Sequence, residues 1–268
     1  MKDRYLIALD LDGTLLKDDK TISTKTKKVL KQIQQDGHVV MISTGRPYRS
    51  SAMYYKELQL SSPIVNFNGA FVHHPQQPDW GRFHEPLNVS VVKDIVDTCS
   101  QFEVKNIIAE VIDDIYIQNH DEQLIDIFSI GNPNISTGDI RLSLKDNPTS
   151  MLIHADNGRM KAIRDYLSDV HTDVVEHRSW GVPWNVIEIV KHGINKAVGV
   201  QKVADYYQIP QDRIIAFGDE DNDLEMLQYA KYGVAMGNGI HLVKEVAKDT
   251  TLTNEEDGVA VYLEKFLL

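Results

Sequence analysis

Short apolar runs recur along this chain, and each stops abruptly at a polar residue. Tyr5-Leu6-Ile7-Ala8-Leu9 ends in Asp10, Val39-Val40-Met41-Ile42 ends in Ser43, and Ile214-Ile215-Ala216-Phe217 ends in Gly218-Asp219. Runs this short, apolar at consecutive rather than alternate positions, predict strands buried on both faces. Gly233-Val234-Ala235-Met236 reads the same way. Helical spacing fills the gaps over 23–35 (stopped by Gly37), 48–58, 197–207, 223–229, 241–247 and 259–266. Strand and helix alternate at both ends of the chain, which predicts one parallel, doubly wound, Rossmann-like α/β sheet.

The middle of the chain breaks this rhythm. Asn68-Gly69 sits between apolar stretches within 64–72, a hairpin signal. The turn formers of 73–81 read as a connection. Helices are then expected at 89–102, 122–130 and 159–167, with strands at 107–109, 115–118, 151–154, 173–177 and 186–190. A loop rich in Gly, Asn and Pro follows the second of these helices. So long a stretch is not a crossover loop. It predicts an inserted α+β domain over 83–189, with the sheet built from 1–82 and 190–268.

Composition narrows the function. The 268 residues are 42% hydrophobic and 25% charged, an ordinary globular balance. A net charge of −11 argues against a nucleic-acid partner, although one pocket can still be locally positive and take a small anion. The single cysteine, Cys99, allows neither an intrachain disulfide nor a cysteine zinc cluster, and its helical setting makes it a core filler. Charges are scattered through the first twenty residues, unlike a signal peptide, and no apolar run approaches a bilayer span. A soluble, cytoplasmic protein without a membrane partner is expected.

The chemistry-bearing residues lie where the predicted strands end, which is where open parallel sheets bind ligands. Asp10-Leu11-Asp12-Gly13-Thr14 follows the first strand and offers two carboxylates on a turn. Gly218-Asp219-Glu220-Asp221-Asn222-Asp223 follows another and carries four acids in five positions. Neither is a calcium loop: the sixth and twelfth positions are Leu15 and Thr21 in one, Leu224 and Ala230 in the other, where Gly and Glu are required. A hard cation such as Mg²⁺ accounts for the acids better than helix-dipole preference does. Ser43-Thr44-Gly45-Arg46-Pro47 opens a helix with a hydroxyl and bare amides, an anion site. Lys196 begins another helix after Gly193-Ile194-Asn195.

These four motifs, in this order on a sheet interrupted by an insertion, resemble the haloacid dehalogenase superfamily. Within it they are most similar to the Cof-type phosphatases with a large α/β cap. The Asn68-Gly69-Ala70 hairpin and Ala235-Met236-Gly237-Asn238 share the likeness, which spans the whole chain. The resemblance implies a Mg²⁺-dependent phosphatase for small phosphate monoesters such as sugar phosphates, working through an aspartyl-phosphate. It implies that Asp10 is nucleophile and metal ligand, and that Asp12 is general acid then base, with its carbonyl on the metal. By the same resemblance Asp219 would complete the metal ligands. Thr44, Gly45, the Leu11 amide, Lys196 and Asn222 would hold the phosphoryl group, with Asp223 behind the metal near Lys196. Arg46 and the segment His177-Arg178-Ser179-Trp180 are candidates for substrate contact, against a structural ion pair for Arg46 and a surface loop for the segment. A sugar phosphomutase and a non-enzymatic phosphate-ester-binding regulator are the alternatives. A dinucleotide site at Gly237-Asn238-Gly239 fails because Leu242 stands where a third glycine is needed.

Overall fold

A computed structural model describes residues 4–171, 173–179 and 185–268. The chain divides into two compact units: 1–46, 51–83 and 195–268 form one, and 47–50 with 84–194 form the other.

The first unit is built on a five-stranded parallel sheet. Its spatial order is Asp249–Thr250, Tyr232–Ala235, Ile214–Gly218, Leu6–Leu9, Val39–Ile42. Every residue of Leu6–Leu9 and Val39–Ile42 is buried, as their unbroken apolar runs require. The helix Thr24–Gln35 shows how sequence sets the covering layer. Ser23 caps it by accepting the Thr26 N–H, and Thr26, Val29, Leu30 and Ile33 form its buried stripe. Leu6–Leu9 lies between Val39–Ile42, the next strand in the chain, and Ile214–Gly218, reached only after the second unit. That reversal of strand order is a topological switch point, and open sheets of this kind bind ligands at the carboxyl ends of the strands there.

A small antiparallel pair, Ile64–Asn66 with Phe71–His73, stands beside this sheet through a parallel bridge between Ser43 and Val65. Its turn is the expected Asn68-Gly69, with both residues at positive φ, 51° and 100°. The strand Arg82–His84 extends the pair. It falls where the sequence suggests only the end of a connection, because three half-polar residues carry little periodicity.

The second unit is a six-stranded sheet ordered Val175–Ser179, Val186–Lys191, Ser150–His154, Asn106–Val111, Asp114–Ile117, Ile135–Thr137. It is antiparallel except for the last pair. Helices Val89–Cys99 and Asn157–Val170 supply Val92, Ile95, Cys99, Ile163 and Leu167 to the core on one face. Cys99 is buried there, with its thiol pushed up to about 12 by burial, so it fills space as expected. The Gly/Asn/Pro-rich loop contains two elements the pattern conceals. One is the edge strand Ile135–Thr137; the other is the short helix Ile140–Ser143, whose Asp139 caps the Arg141 N–H. Among the described residues, no helix is long and apolar enough to cross a membrane.

Candidate active site

Adjacent strand ends bring the motifs together. Leu9 pairs with Phe217 on one side and Ile42 on the other, so Asp10 emerges between Asp219 and Thr44. The Asp10 N–H still donates to the Phe217 carbonyl at 3.2 Å, which ties the first motif to the strand carrying the last. The chain then turns sharply. The Leu11 carbonyl accepts the Leu15 and Leu16 N–H groups at 3.1 and 2.8 Å, with Gly13 at φ 73°. A Cβ on Gly13 would overlap the Asp219 carboxylate, so glycine is needed for both its backbone and its lack of volume. Thr14 donates its hydroxyl to Asp219 Oδ1 at 2.7 Å.

Lys196 is fully buried at the start of helix Lys196–Tyr207. Its Nζ lies 2.7 Å from Asp10 Oδ1 and 2.7 Å from Asp223 Oδ1. The other Asp223 oxygen accepts the Asp219 and Glu220 N–H groups at 2.9 and 3.1 Å. Asp223 therefore anchors Lys196 and shapes the Asp219 loop at once. Carboxylate oxygens of Asp10, Asp219 and Asp223 all lie within 4.8 Å of one another.

The electrostatics show an excess of negative charge. Burial, then the neighbouring carboxylates Asp223 and Asp219, hold Asp10 well above its ordinary carboxylate range, against the pull of Lys196. Burial and Asp223 raise Asp219 to about 7, opposed by the Thr14 hydrogen bond. Burial would lower Lys196, but Asp10 and Asp223 outweigh it and keep the ammonium charged. Three buried carboxylates around one ammonium crowd negative charge together, and either a bound proton or a further cation relieves it. The donor set is all oxygen, which suits Mg²⁺ and not a soft metal. Asp10 and Asp219 fit such an ion, whereas both oxygens of Asp223 are already engaged by Lys196 and backbone amides.

Asp12 points elsewhere. Its carboxylate takes a two-pronged ion pair from Arg46, with Nε to Oδ2 and Nη2 to Oδ1 both at 2.6 Å. Lys20 adds a third contact at 2.8 Å. Burial alone would raise its pKa, but Arg46 and then Lys20 overcome that and hold Asp12 down at about 2. Arg46 is thus engaged by a protein carboxylate, the ion-pair reading of that residue.

On the other side of Asp10, the Thr44 hydroxyl accepts the Arg46 N–H at 3.1 Å and the Thr44 carbonyl accepts the Asn68 N–H at 3.1 Å. Asn222 donates its side-chain amide to Asn68 Oδ1 at 3.0 Å. A Cβ on Gly45 would come within 3.1 Å of that same oxygen. The hairpin tip therefore joins Thr44, Gly45 and Asn222 into one polar wall. A Cβ on Gly69 would strike the Asn195 carbonyl, so the hairpin also seats the helix that carries Lys196.

The structure brings together Asp10, Leu11, Thr44, Gly45, Lys196, Asn222, Asp219 and Asp223, with Asp12 and Arg46 paired at the rim. Arg178 lies on a strand of the second unit, opposite Glu188. Trp180 lies outside the described residues. Three contributors had no role in the sequence reading. Thr14 sits inside the first motif, and its hydroxyl was the available signal. Asn68 reads there as the turn residue of a hairpin that shares the family likeness, and nothing in that pattern links it to Asn222. Lys20 is eight positions from Asp12, and no spacing rule on a loop connects them.

Acidic strand ends, a buried lysine and a hydroxyl–amide turn thus come together on one doubly wound sheet. The model of the haloacid dehalogenase-like hydrolases matches residues 7–263, and the chain belongs to that family. It is 61% identical to the 5-amino-6-(5-phospho-D-ribitylamino)uracil phosphatase YitU of Bacillus subtilis, over 98% of this chain and 97% of that one. The phosphatase YwpJ of the same organism is 28% identical over 98% of this chain and 99% of its own. Among solved structures, a haloacid dehalogenase-like hydrolase from Bacteroides thetaiotaomicron superposes with a TM-score of 0.85 at 26% identity, covering 99% of this chain and all of that one. The chain is a phosphatase for small phosphorylated substrates.

Proposed function

We propose that this protein is a Mg²⁺-dependent phosphomonoesterase that works through a phosphoaspartate on Asp10. Its foremost candidate substrate is 5-amino-6-(5-phospho-D-ribitylamino)uracil, the compound in the name of its 61%-identical relative. The observation that carries the chemistry is the buried Asp10–Lys196–Asp223 chain, with both contacts at 2.7 Å. It holds one carboxylate oxygen of Asp10 in a fixed direction at the sheet's switch point.

Asp10 attacks phosphorus in line; its oxygen–phosphorus bond forms as the ester bond breaks. Lys196 neutralises the attacking carboxylate and the phosphoryl oxygens, and Thr44, the Gly45 and Leu11 amides and Asn222 hold those oxygens. Asp12 gives its proton to the departing alkoxide. Water then attacks the phosphoaspartate, Asp12 takes the water's proton, and Asp10 and inorganic phosphate are released. Because Asp12 is ionised in its pair with Arg46 and Lys20, the acid step requires that pair to loosen when substrate is bound and Asp12 to take up a proton from solvent, the one it then passes to the alkoxide. A Mg²⁺ ion on Asp10, Asp219 and the Asp12 carbonyl would supply charge neutralisation to the transferring group. The unit formed by 84–194 would then act as the inserted cap that selects the leaving group, with Arg178 as a candidate contact.

The test is phosphate release from this uracil derivative and a panel of sugar phosphates, with Mg²⁺ and with EDTA. Release that needs Mg²⁺, and is lost in Asp10→Asn, is expected. Turnover by purified Asp10→Asn, or no release from any member of the panel, would refute the reading.

A further inference from the structure

One stretch that shares the family likeness has no part in this chemistry: the turn Met236-Gly237-Asn238-Gly239-Ile240. Its connections run to both halves of the acidic site. The Met236 N–H donates to the Gly218 carbonyl at 3.0 Å, and the Ile240 N–H donates to the Asp219 carbonyl at 2.9 Å. Asn238 reaches the other way and donates its side-chain amide to the Gly13 carbonyl at 2.8 Å. Its side-chain oxygen accepts the Asn254 N–H at 3.0 Å. Asn254 is buried, and its own amide donates to the Leu16 carbonyl at 3.0 Å and to Asp18 Oδ1 at 3.2 Å. The two asparagines thus grip the 13–18 loop at both ends while the turn's backbone grips the Asp219 loop.

The backbone bonds of the turn form with almost any side chains. The links to Gly13 and Asn254 do not, because together they need a donor and an acceptor on one short side chain at 238, the capacity of asparagine. We propose that Asn238, supported by Asn254, is a positioning residue that fixes the spacing between the Asp10–Gly13 loop and Asp219, and through it the affinity for the divalent cation. The proposal rests on the reading of Asp10 and Asp219 as metal ligands. Without Asn238 the turn stays attached to Asp219 while Gly13 is released from it. The two carboxylates then sample a wider range of separations, which a small cation with strict octahedral demands tolerates poorly.

The experiment measures Mn²⁺ binding to the whole protein, without substrate, from the loss of the free-ion electron paramagnetic resonance signal. Asn238→Asp keeps the size and the acceptor for Asn254 but loses the donor to Gly13. Although it adds a negative charge near the site, it should bind Mn²⁺ about fivefold more weakly, the worth of one ordinary hydrogen bond. Asn238→Ala, which adds no charge, should shift in the same direction, and excess Mg²⁺ should restore phosphate release in both. Lys244→Ala removes a different bond of the same turn, Nζ to the Gly237 carbonyl at 2.7 Å, and should bind like wild type. Wild-type affinity in both Asn238 variants, or equal weakening by Lys244→Ala, would overturn the brace. Wild-type binding by Asp219→Asn would instead refute the metal reading, and the brace with it.

Discussion

Lys196→Met replaces a fully buried ammonium with an apolar side chain of similar length. Each of its two contacts, at 2.7 Å, is worth about 6 kcal/mol gross at an effective dielectric constant of 20. Desolvation of three buried ions offsets most of that. Removing one partner of a buried pair costs about 3–5 kcal/mol, because the charges left behind stay buried. Here Asp10 and Asp223 remain, with Asp219 within 4.8 Å. A loss of about 3–5 kcal/mol at pH 8 without Mg²⁺ is therefore expected.

The pH dependence identifies the cause. Asp10 already has a raised pKa with the lysine present, and removing that charge raises it further. A carboxyl raised on folding binds more protons folded than unfolded. Its penalty is thus absent below the ordinary value of 3.8 and grows as pH rises through the folded value. The deficit of Lys196→Met should shrink as pH falls from 8 to 5.5, and Mg²⁺ should stabilise the variant more than wild type. Adding Asp223→Asn should recover part of the loss. Urea unfolding at both pH values, with and without Mg²⁺, reads all of this. A deficit under about 1 kcal/mol, the size of a surface pair, or one independent of pH, would refute the reasoning.

Asp12→Asn should slow hydrolysis of an alkyl phosphate by about 10²–10⁴, the worth of general acid–base help, and by less in the first step with p-nitrophenyl phosphate. Rapid quench with mass spectrometry should then find phosphate trapped on Asp10; equal losses with no trapped species would leave Asp12 a scaffold. Gly13→Ala should cost about 1–2 kcal/mol for its left-handed backbone and displace Asp219. Phosphate release at low Mg²⁺ should consequently fall further than melting temperature does. His73 stacks on Phe71, and burial, then His74, lowers it from 6.5 to about 4. The unfolded chain binds a proton in that window that the folded chain refuses, so stability should fall as pH drops from 6.5 to 4. His73→Phe should make the fall shallower, and an unchanged slope would remove His73 as its source.

Much of this molecule is legible in the chain alone. Fully buried parallel strands must be apolar at every position, so Leu6–Leu9, Val39–Ile42 and Ile214–Gly218 stand out with their ends marked by Asp10, Thr44 and Asp219. Close approach demands glycine, so Gly13 and Gly69 are marked as well. What is local and repetitive survives in one dimension. Edge elements do not: Arg82–His84, Ile135–Thr137 and Asp249–Thr250 are short and half or fully exposed, with no buried face to impose a pattern.

The partners of charged side chains lie further beyond reach of the sequence. Lys196 reaches Asp10 across 186 positions and Asn238 reaches Gly13 across 225, because parallel strands and an inserted unit place distant segments side by side. The motif around Asp12 gives the residue but not its engagement by Arg46 and Lys20, which comes from the sharp turn at Gly13 and the neighbouring strand end. A sequence can say which groups are worth burying or aiming. Only the packed sheet decides which charge each one meets, because that energy depends on separations of a few ångströms between segments the chain order keeps apart.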